Sequence, residues 1–319
     1  MSEHLVSGPP FLRKIHLSSG TSRHIPTSGA ALLVLVCLIW GGNMVSIKIS
    51  NVGIPPLVAA TMRATIAAML LWGFATARGK TVWLKGPDIR FGVTIGIFFG
   101  LDFLFVYWGT AYTVASRAVI FLYTHSLWAA LGAHFFLKDD RLTPLKTSGL
   151  VLSLLGVVLV FGVKSGSLPP GYWIGDLLEV MAALFWASTT VYIKWSTGKR
   201  SFDHYQTLFS QLFYSIPVLA MGWLVLDLGK PIDLSGPVLG ALFYQTVVVA
   251  FIVFLLWFWM IHTYPVGRLV SFLVRVPVFG VLLSGVILGD PLPVQLWIGL
   301  GCVAGGIYLV NKPQKLTEG

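Results

Sequence analysis

The sequence predicts an all-α polytopic membrane protein of ten transmembrane helices, arranged as two inverted five-helix repeats. Three observations predict it. The 319-residue chain is 56% hydrophobic and only 11% charged, against about 25% charge in a soluble domain. It carries ten apolar runs, each close to the ~20 residues needed to span a bilayer. It also contains one long stretch twice.

The low charge extends along the whole length, which excludes a soluble core with a single anchor. The net charge of +10 raises the question of nucleic acid. The basic residues lie in short loops between apolar runs and form no stripe, so no nucleic-acid partner is expected. Cys37 and Cys302 both fall inside apolar runs. They have no zinc or redox spacing and are read as small buried apolar residues.

Residues 1–27 read as a polar, mildly basic cytoplasmic tail, and 312–319 as a second one. The first apolar run ends in Trp-Gly-Gly-Asn without a small-residue cleavage site, and is read as a retained helix rather than a signal peptide. The ten runs are expected at 30–50, 56–77, 89–111, 117–137, 145–163, 174–195, 204–226, 236–258, 267–288 and 292–311. Short polar or Pro/Gly breaks separate them, such as Asn51–Pro56 and Arg78–Pro87.

Lys and Arg in the loops set the expected orientation. With the N-terminus in the cytoplasm, the inside segments hold sixteen basic residues. The outside segments hold four: Lys48, Arg117, Lys164 and Lys230. Both termini are therefore expected inside a plasma membrane, the inner membrane if the cell is bacterial. Lys48 and Lys194 sit at span ends and are read as snorkelling anchors.

Residues 107–139 and 258–290 align without a gap, each position meeting one 151 further on. Trp108 meets Trp259, Arg117 meets Arg268, Phe121 meets Phe272 and Asp139 meets Asp290. The likeness extends further. Trp40 to Lys48 matches Trp186 to Lys194 in its Trp, Val, Ile and Lys, while Gly149 and Gly156 match Gly299 and Gly306. Residues 28–163 and 173–311 are thus two copies of a five-helix unit. Five is odd, so the copies must enter the membrane in opposite directions, as in many secondary transporters.

These features resemble the drug/metabolite transporter superfamily, in its EamA-type branch of ten-helix transporters. The resemblance rests on the Trp-Gly-Gly-Asn…Lys48 end of the first span, Pro55-Pro56…Arg63 at the second, and both copies of the repeated stretch. It covers about 28–311. Two features depart from it. The family usually has an acidic residue, commonly Glu, after a Gly at the ends of the fourth and ninth spans. Here Asp139 follows Lys138, and Asp290 follows Gly289. The family often has Pro midway along both spans. The ninth keeps it as Pro277, while the fourth has Ser126 beside His125.

No sequence signature of catalysis or of a bound cofactor is found. Gly79-Lys80-Thr81 ends like a phosphate loop, but position 74 is Phe where the first Gly belongs. Gly299, Gly301 and Gly305 miss the dinucleotide spacing by one residue. No metal or nucleophile motif occurs, and no cofactor or enzymatic activity is expected. Gly92, Gly96 and Gly100, and Gly236 with Gly240, have the spacing that lets helices pack closely.

Ionisable groups deep in the membrane cost about 2.5–3.5 kcal/mol each at mid-helix and are expected to face protein or a wet cavity. Four stand out: Arg63, Asp102, Glu179 and Arg275. Arg63 is read as structural, paired with a carboxylate or helix-end carbonyls. Glu179, about one turn inside the outer edge, is read as structural or solvated. Asp102 and Arg275 form either a salt bridge or a substrate-binding pair. His125 lies at mid-membrane on the fourth span, in one stripe with Trp128 and Gly132. Asp102 and His125 are the candidates for proton coupling. Trp40, Asn43, Trp186, Thr189, Tyr244 and Gln245 complete the expected lining, a mixture of rings and polar tips that suits a small amphipathic molecule.

The expected function is secondary active export of small metabolites such as amino acids, by alternating access. The partners are then the small-molecule substrate and the lipid bilayer. An organic-anion importer or exchanger is the alternative within transport. A non-transporting membrane scaffold or sensor is the alternative outside it, and the duplication argues against that reading.

Overall fold

The computed structural model describes residues 26–137, 141–163, 168–197, 202–264, 269 and 272–311. Asp139 and Arg268 of the repeated stretch lie outside them.

Helix is the dominant element because apolar runs this long can satisfy their backbone polar groups in lipid only internally. Spans 1 to 3 are Thr27–Gly53, Pro56–Ala77 and Ile89–Tyr112. Span 4 is two helices, Ala115–Leu122 and His125–Phe136. Spans 5, 6 and 10 are Pro144–Gly162, Tyr172–Thr197 and Val294–Asn311. Span 7 is His204–Gly222 with a π-helical end, Trp223–Asp227. Span 8 begins as Gly236–Phe243, widens to a π-helix over Tyr244–Val253 and ends as Phe254–Thr263. Of span 9, the helix Arg275–Leu288 is described. Among the described residues nine helices are long and apolar enough to cross a membrane, and Arg275–Leu288 is a shorter apolar tenth.

The ends follow local chemistry. Pro56 and Pro144 sit in the first helical turn, where their missing N–H costs nothing. Asp203 and Gln206 form a reciprocal capping box at span 7. Gly289 ends span 9 at φ 69°, a left-handed conformation that glycine adopts freely.

Polarity runs inside out, as a bilayer solvent requires. Phe135, Val158 and Val286 are exposed, whereas Arg63, Asp102, Arg117, Asp176 and Glu179 are buried.

The packing of one repeat mirrors that of the other. Span 5 lies along span 10. Span 1 packs on span 9, as span 6 does on span 4. Span 3 packs on spans 6 and 7, as span 8 does on spans 1 and 2. Replacing each span by its counterpart five places away turns each of these pairings into itself or another of them. At the crossing of spans 5 and 10, a Cβ on Gly149 would lie 2.8 Å from the Gly306 carbonyl, and one on Gly156 would lie 2.6 Å from the Gly299 carbonyl. These glycines are repeat counterparts with their partners exchanged.

Span 4 is the expected single apolar run, Ala115–Phe136, with a turn inside it at Tyr123–Thr124, and span 9 turns at the matching Val274. Pro277 accompanies the second break, but no proline accompanies the first. Gly92, Gly96 and Gly100 do pack closely against Ser210, Tyr214, Ser215 and Val218 of span 7. Gly236 and Gly240 do not, since a Cβ on either would meet open space.

Candidate functional site

The turns at Tyr123–Thr124 and Val274 start the helices His125–Phe136 and Arg275–Leu288. The His125 ring is buried and stacks on Trp186 at 3.6 Å, 10° from parallel. Tyr123 stands edge-on to both rings. Trp128 Nε1 donates to Thr124 Oγ1 across the break. Thr189, one turn beyond Trp186, donates to its own helix at Phe185 O and presents no free hydroxyl hydrogen.

Arg63 is 1% exposed. Its Nε donates to the Gln245 carbonyl at 3.2 Å, and its guanidinium lies 4.0 Å from the centre of the Phe103 ring. Gln245 belongs to the π-helical part of span 8, where the altered ladder turns a carbonyl to an outside donor. The Gln245 side-chain oxygen accepts from the Tyr107 hydroxyl. Arg63 was expected to pair with a carboxylate or helix-end carbonyls; the carbonyl it meets lies within span 8. Arg63 Nη2 has no partner, and its charge bears on Asp102.

Asp102 and Arg275 do not form an ion pair. Asp102 is buried against Arg63, while Arg275 is exposed and lies over the Phe272 ring at 4.5 Å. Counting residues places both near mid-span, but their side chains have different surroundings, one buried and the other exposed.

Glu179 is not solvated; it is 0% exposed. Its Oε1 lies 2.8 Å from Thr110 Oγ1 of span 3, and its Oε2 has no partner. Lys48 does not snorkel either. Its Nζ donates to the carbonyls of Thr110 at 2.8 Å and Thr113 at 2.7 Å, closing the C-terminal end of span 3. A cation suits that end, where the last carbonyls lack helical partners.

Buried side-chain atoms without a hydrogen-bond partner include Trp40 Nε1, Asn43 Oδ1, Arg63 Nη2, Asp102 Oδ1, His125 Nδ1 and Glu179 Oε2. They come from spans 1, 2, 3, 4 and 6. Trp40 meets Phe254 and Trp257 of span 8 edge-on. Tyr244 is partly withdrawn from this lining, because its hydroxyl donates to the Ile39 carbonyl. Among the described residues no group of three His, Cys, Asp or Glu could hold a metal ion. The surface grooves lie elsewhere. The larger, about 810 Å³, runs along span 5 past Val151 and Leu155.

Polar contacts join the two repeats at the end of the bundle away from the chain termini. Arg117, expected in an outside loop, is 1% exposed and grips Asp176 through Nε and Nη2, the latter at 2.5 Å. Its Nη1 donates to the Val160 carbonyl. Asp290 accepts from Ser116 N at 2.8 Å, and Asp227 from Leu57 N at 2.7 Å, so each carboxylate caps a helix of the other repeat. Asp233 N donates to Gly53 O. Tyr107, Thr110, Tyr123 and Asp176 were not singled out in the sequence. The one available signal was that Tyr107 and Thr110 open the repeated stretch.

The EamA-like transporter family model matches residues 27–162 and again 173–312. The chain belongs to this family. Among curated relatives it is 21% identical to the uncharacterized transporter YoaV of Bacillus subtilis, over 87% of this chain and 94% of that one. It is 26% identical to the uncharacterized transporter YvbV of the same organism, over 92% and 94%. A probable amino-acid metabolite efflux pump of Salmonella typhimurium is 25% identical over 87% and 93%. One solved crystal structure, 21% identical, superposes with a TM-score of 0.61 over 89% of this chain and 96% of its own, which shows a shared fold. The protein is thus a multi-pass membrane protein of a transporter family.

Proposed function

We propose that the protein is a secondary active exporter of small metabolites such as amino acids, working by alternating access between its two repeats. The observation that carries this reading is the set of buried, unpartnered polar atoms contributed by five of the spans. Polar atoms buried without partners cost free energy, and a bundle that only needed to pack would fill the same place with apolar side chains. Donors and acceptors are both among them, and the rings of Trp186 and Tyr123 lie against His125. That mixture fits a small molecule with an apolar body and charged ends.

The efflux-pump name of the Salmonella relative supports export and the amino-acid class. The mirrored packing supports alternating access, because an exchange of roles between equivalent spans would open the other end. In the conformation described, contacts such as Arg117–Asp176 and Asp290–Ser116 close the end away from the termini. The orientation with both termini in the cytoplasm, in a plasma or inner membrane, rests on the loop charge bias. Asn43, Asp102, His125, Trp186, Tyr244 and Arg275 are the proposed substrate contacts, with Arg63 as their support. The absence of an attached ATPase sequence motif points to a gradient as the energy source.

The test is flux in proteoliposomes holding the purified full chain, against a panel of radiolabelled amino acids, nucleosides and organic acids. Saturable counterflow of at least one amino acid is expected. Saturable flux of organic acids alone would replace this reading with the anion exchanger. No flux of any panel member above empty liposomes would overturn it.

A further inference from the structure

We propose that Glu179 on span 6 is a proton-binding site, loaded by a proton that Thr110 on span 3 receives as a hydrogen bond. The argument is a count of hydrogens. Thr110 Oγ1 lies 2.6 Å from the Val106 carbonyl oxygen, which can only accept. The same Oγ1 lies 2.8 Å from Glu179 Oε1. A hydroxyl has one hydrogen, and here the back-bond to its own helix takes it. Two oxygens at 2.8 Å then face each other, and the proton between them belongs to the carboxyl. Glu179 therefore donates to Thr110.

The surroundings agree. The groups facing Glu179 are Asp102 and Thr110 from span 3, Lys48 from span 1 and Asp176 one turn back on its own helix. Lys48 is committed to two carbonyls of span 3. Asp176 is committed to Arg117 of span 4. The His125 ring of span 4 stacks on Trp186 instead. Arg63 bears on Asp102. Against the charge of Lys48, two carboxylates, Asp102 and Asp176, bear on Glu179 with like charge. A charge so poorly compensated in an apolar place is costly, so the carboxyl holds a proton. A metal ion does not fit, because Na⁺ or Ca²⁺ needs several oxygen ligands. Among the described residues no group of three His, Cys, Asp or Glu could hold one.

In the use made of the proton this rests on the transporter reading. Asp102 and His125 were the groups expected to carry a coupling proton, and the geometry moves that role to Glu179. One proton enters from one side, sits between Glu179 and Thr110, and leaves as a whole proton to the other side.

Protonation is tested without transport. The full chain in lipid nanodiscs is studied by infrared difference spectroscopy on acidification, as wild type, Glu179→Gln, Asp102→Asn and Thr110→Val. A carboxylic-acid carbonyl band that moves in D₂O is expected in wild type and in Asp102→Asn, and is absent in Glu179→Gln. Thr110→Val keeps the carboxyl but removes its acceptor, so the band should persist and change frequency. A band unchanged in Glu179→Gln, one lost in Asp102→Asn alone, or one indifferent to Thr110→Val would each overturn the assignment. So would a band abolished by sodium at fixed pH, which would make this a metal-ion site.

Discussion

Arg117 and Asp176 are joined through two guanidinium nitrogens in a place where both side chains are at most 1% exposed. Asp176 also accepts from Thr113 Oγ1 at 2.7 Å, so both ends of the pair are fully used. Removing one partner of a buried pair strands the other charge and costs about 3–5 kcal/mol. Arg117→Met and Asp176→Leu should each sharply lower the melting temperature in detergent. The double variant should recover most of the loss. Single variants that melt like wild type would show that the pair is wet.

The crossing of spans 5 and 10 makes a contrasting pair of predictions. Gly306 sits against the Gly149 carbonyl and the Ser153 side chain, with no room for a methyl group. Gly306→Val should prevent stable folding. Gly240 has nothing within 4 Å of an added Cβ. Gly240→Ala should therefore stabilise the helix by about 0.5–1 kcal/mol, the usual backbone gain. Yield of monodisperse protein and melting temperature read both.

Orientation is open to direct labelling. In a Cys37→Ser, Cys302→Ser background, cysteine at Val52 or Leu234 should react with a membrane-impermeant maleimide added to intact cells. Both positions are exposed, Val52 in the last turn of span 1 and Leu234 just before span 8, at the end away from the termini. Cysteine at Lys80 should react only after lysis. Labelling of position 80 in intact cells would reverse the topology.

The spans were legible because each is a long apolar run ended by Pro, Gly or charge. Even so, span 3 ends one residue beyond its expected boundary, at Tyr112. The break in span 4 was not legible, since Tyr123 and Thr124 carry no helix-breaking chemistry of their own. Partners were the hardest to read. Depth follows from counting residues, but contact depends on which way a helix face turns. Asp102 and Arg275 share a depth and still part, whereas Arg117 and Glu179 lie near span ends and are nonetheless buried. Lys48 looked like an anchor because its three-carbonyl receptor belongs to a helix far away in sequence.

Arg63 and Arg275 should fail in different ways. Arg63 is buried, bonded to the Gln245 carbonyl and stacked on Phe103. Arg63→Met leaves Asp102 without its cation and should cost about 3–5 kcal/mol of stability. Arg275 is exposed at a helix N-terminus, with one ring beneath it. Arg275→Lys keeps the charge and strands no buried partner, so the melting point should stay within about 0.5 kcal/mol of wild type. A guanidinium holds a carboxylate by two parallel hydrogen bonds that an ammonium cannot copy. Flux of a carboxylate substrate should then fall about tenfold, which is about 1.4 kcal/mol. Because Arg275 and Asp102 are not partners, combining Arg275→Met with Asp102→Leu should add their effects rather than cancel them. Unchanged flux in Arg275→Lys, or full rescue in the double variant, would remove Arg275 from the substrate site.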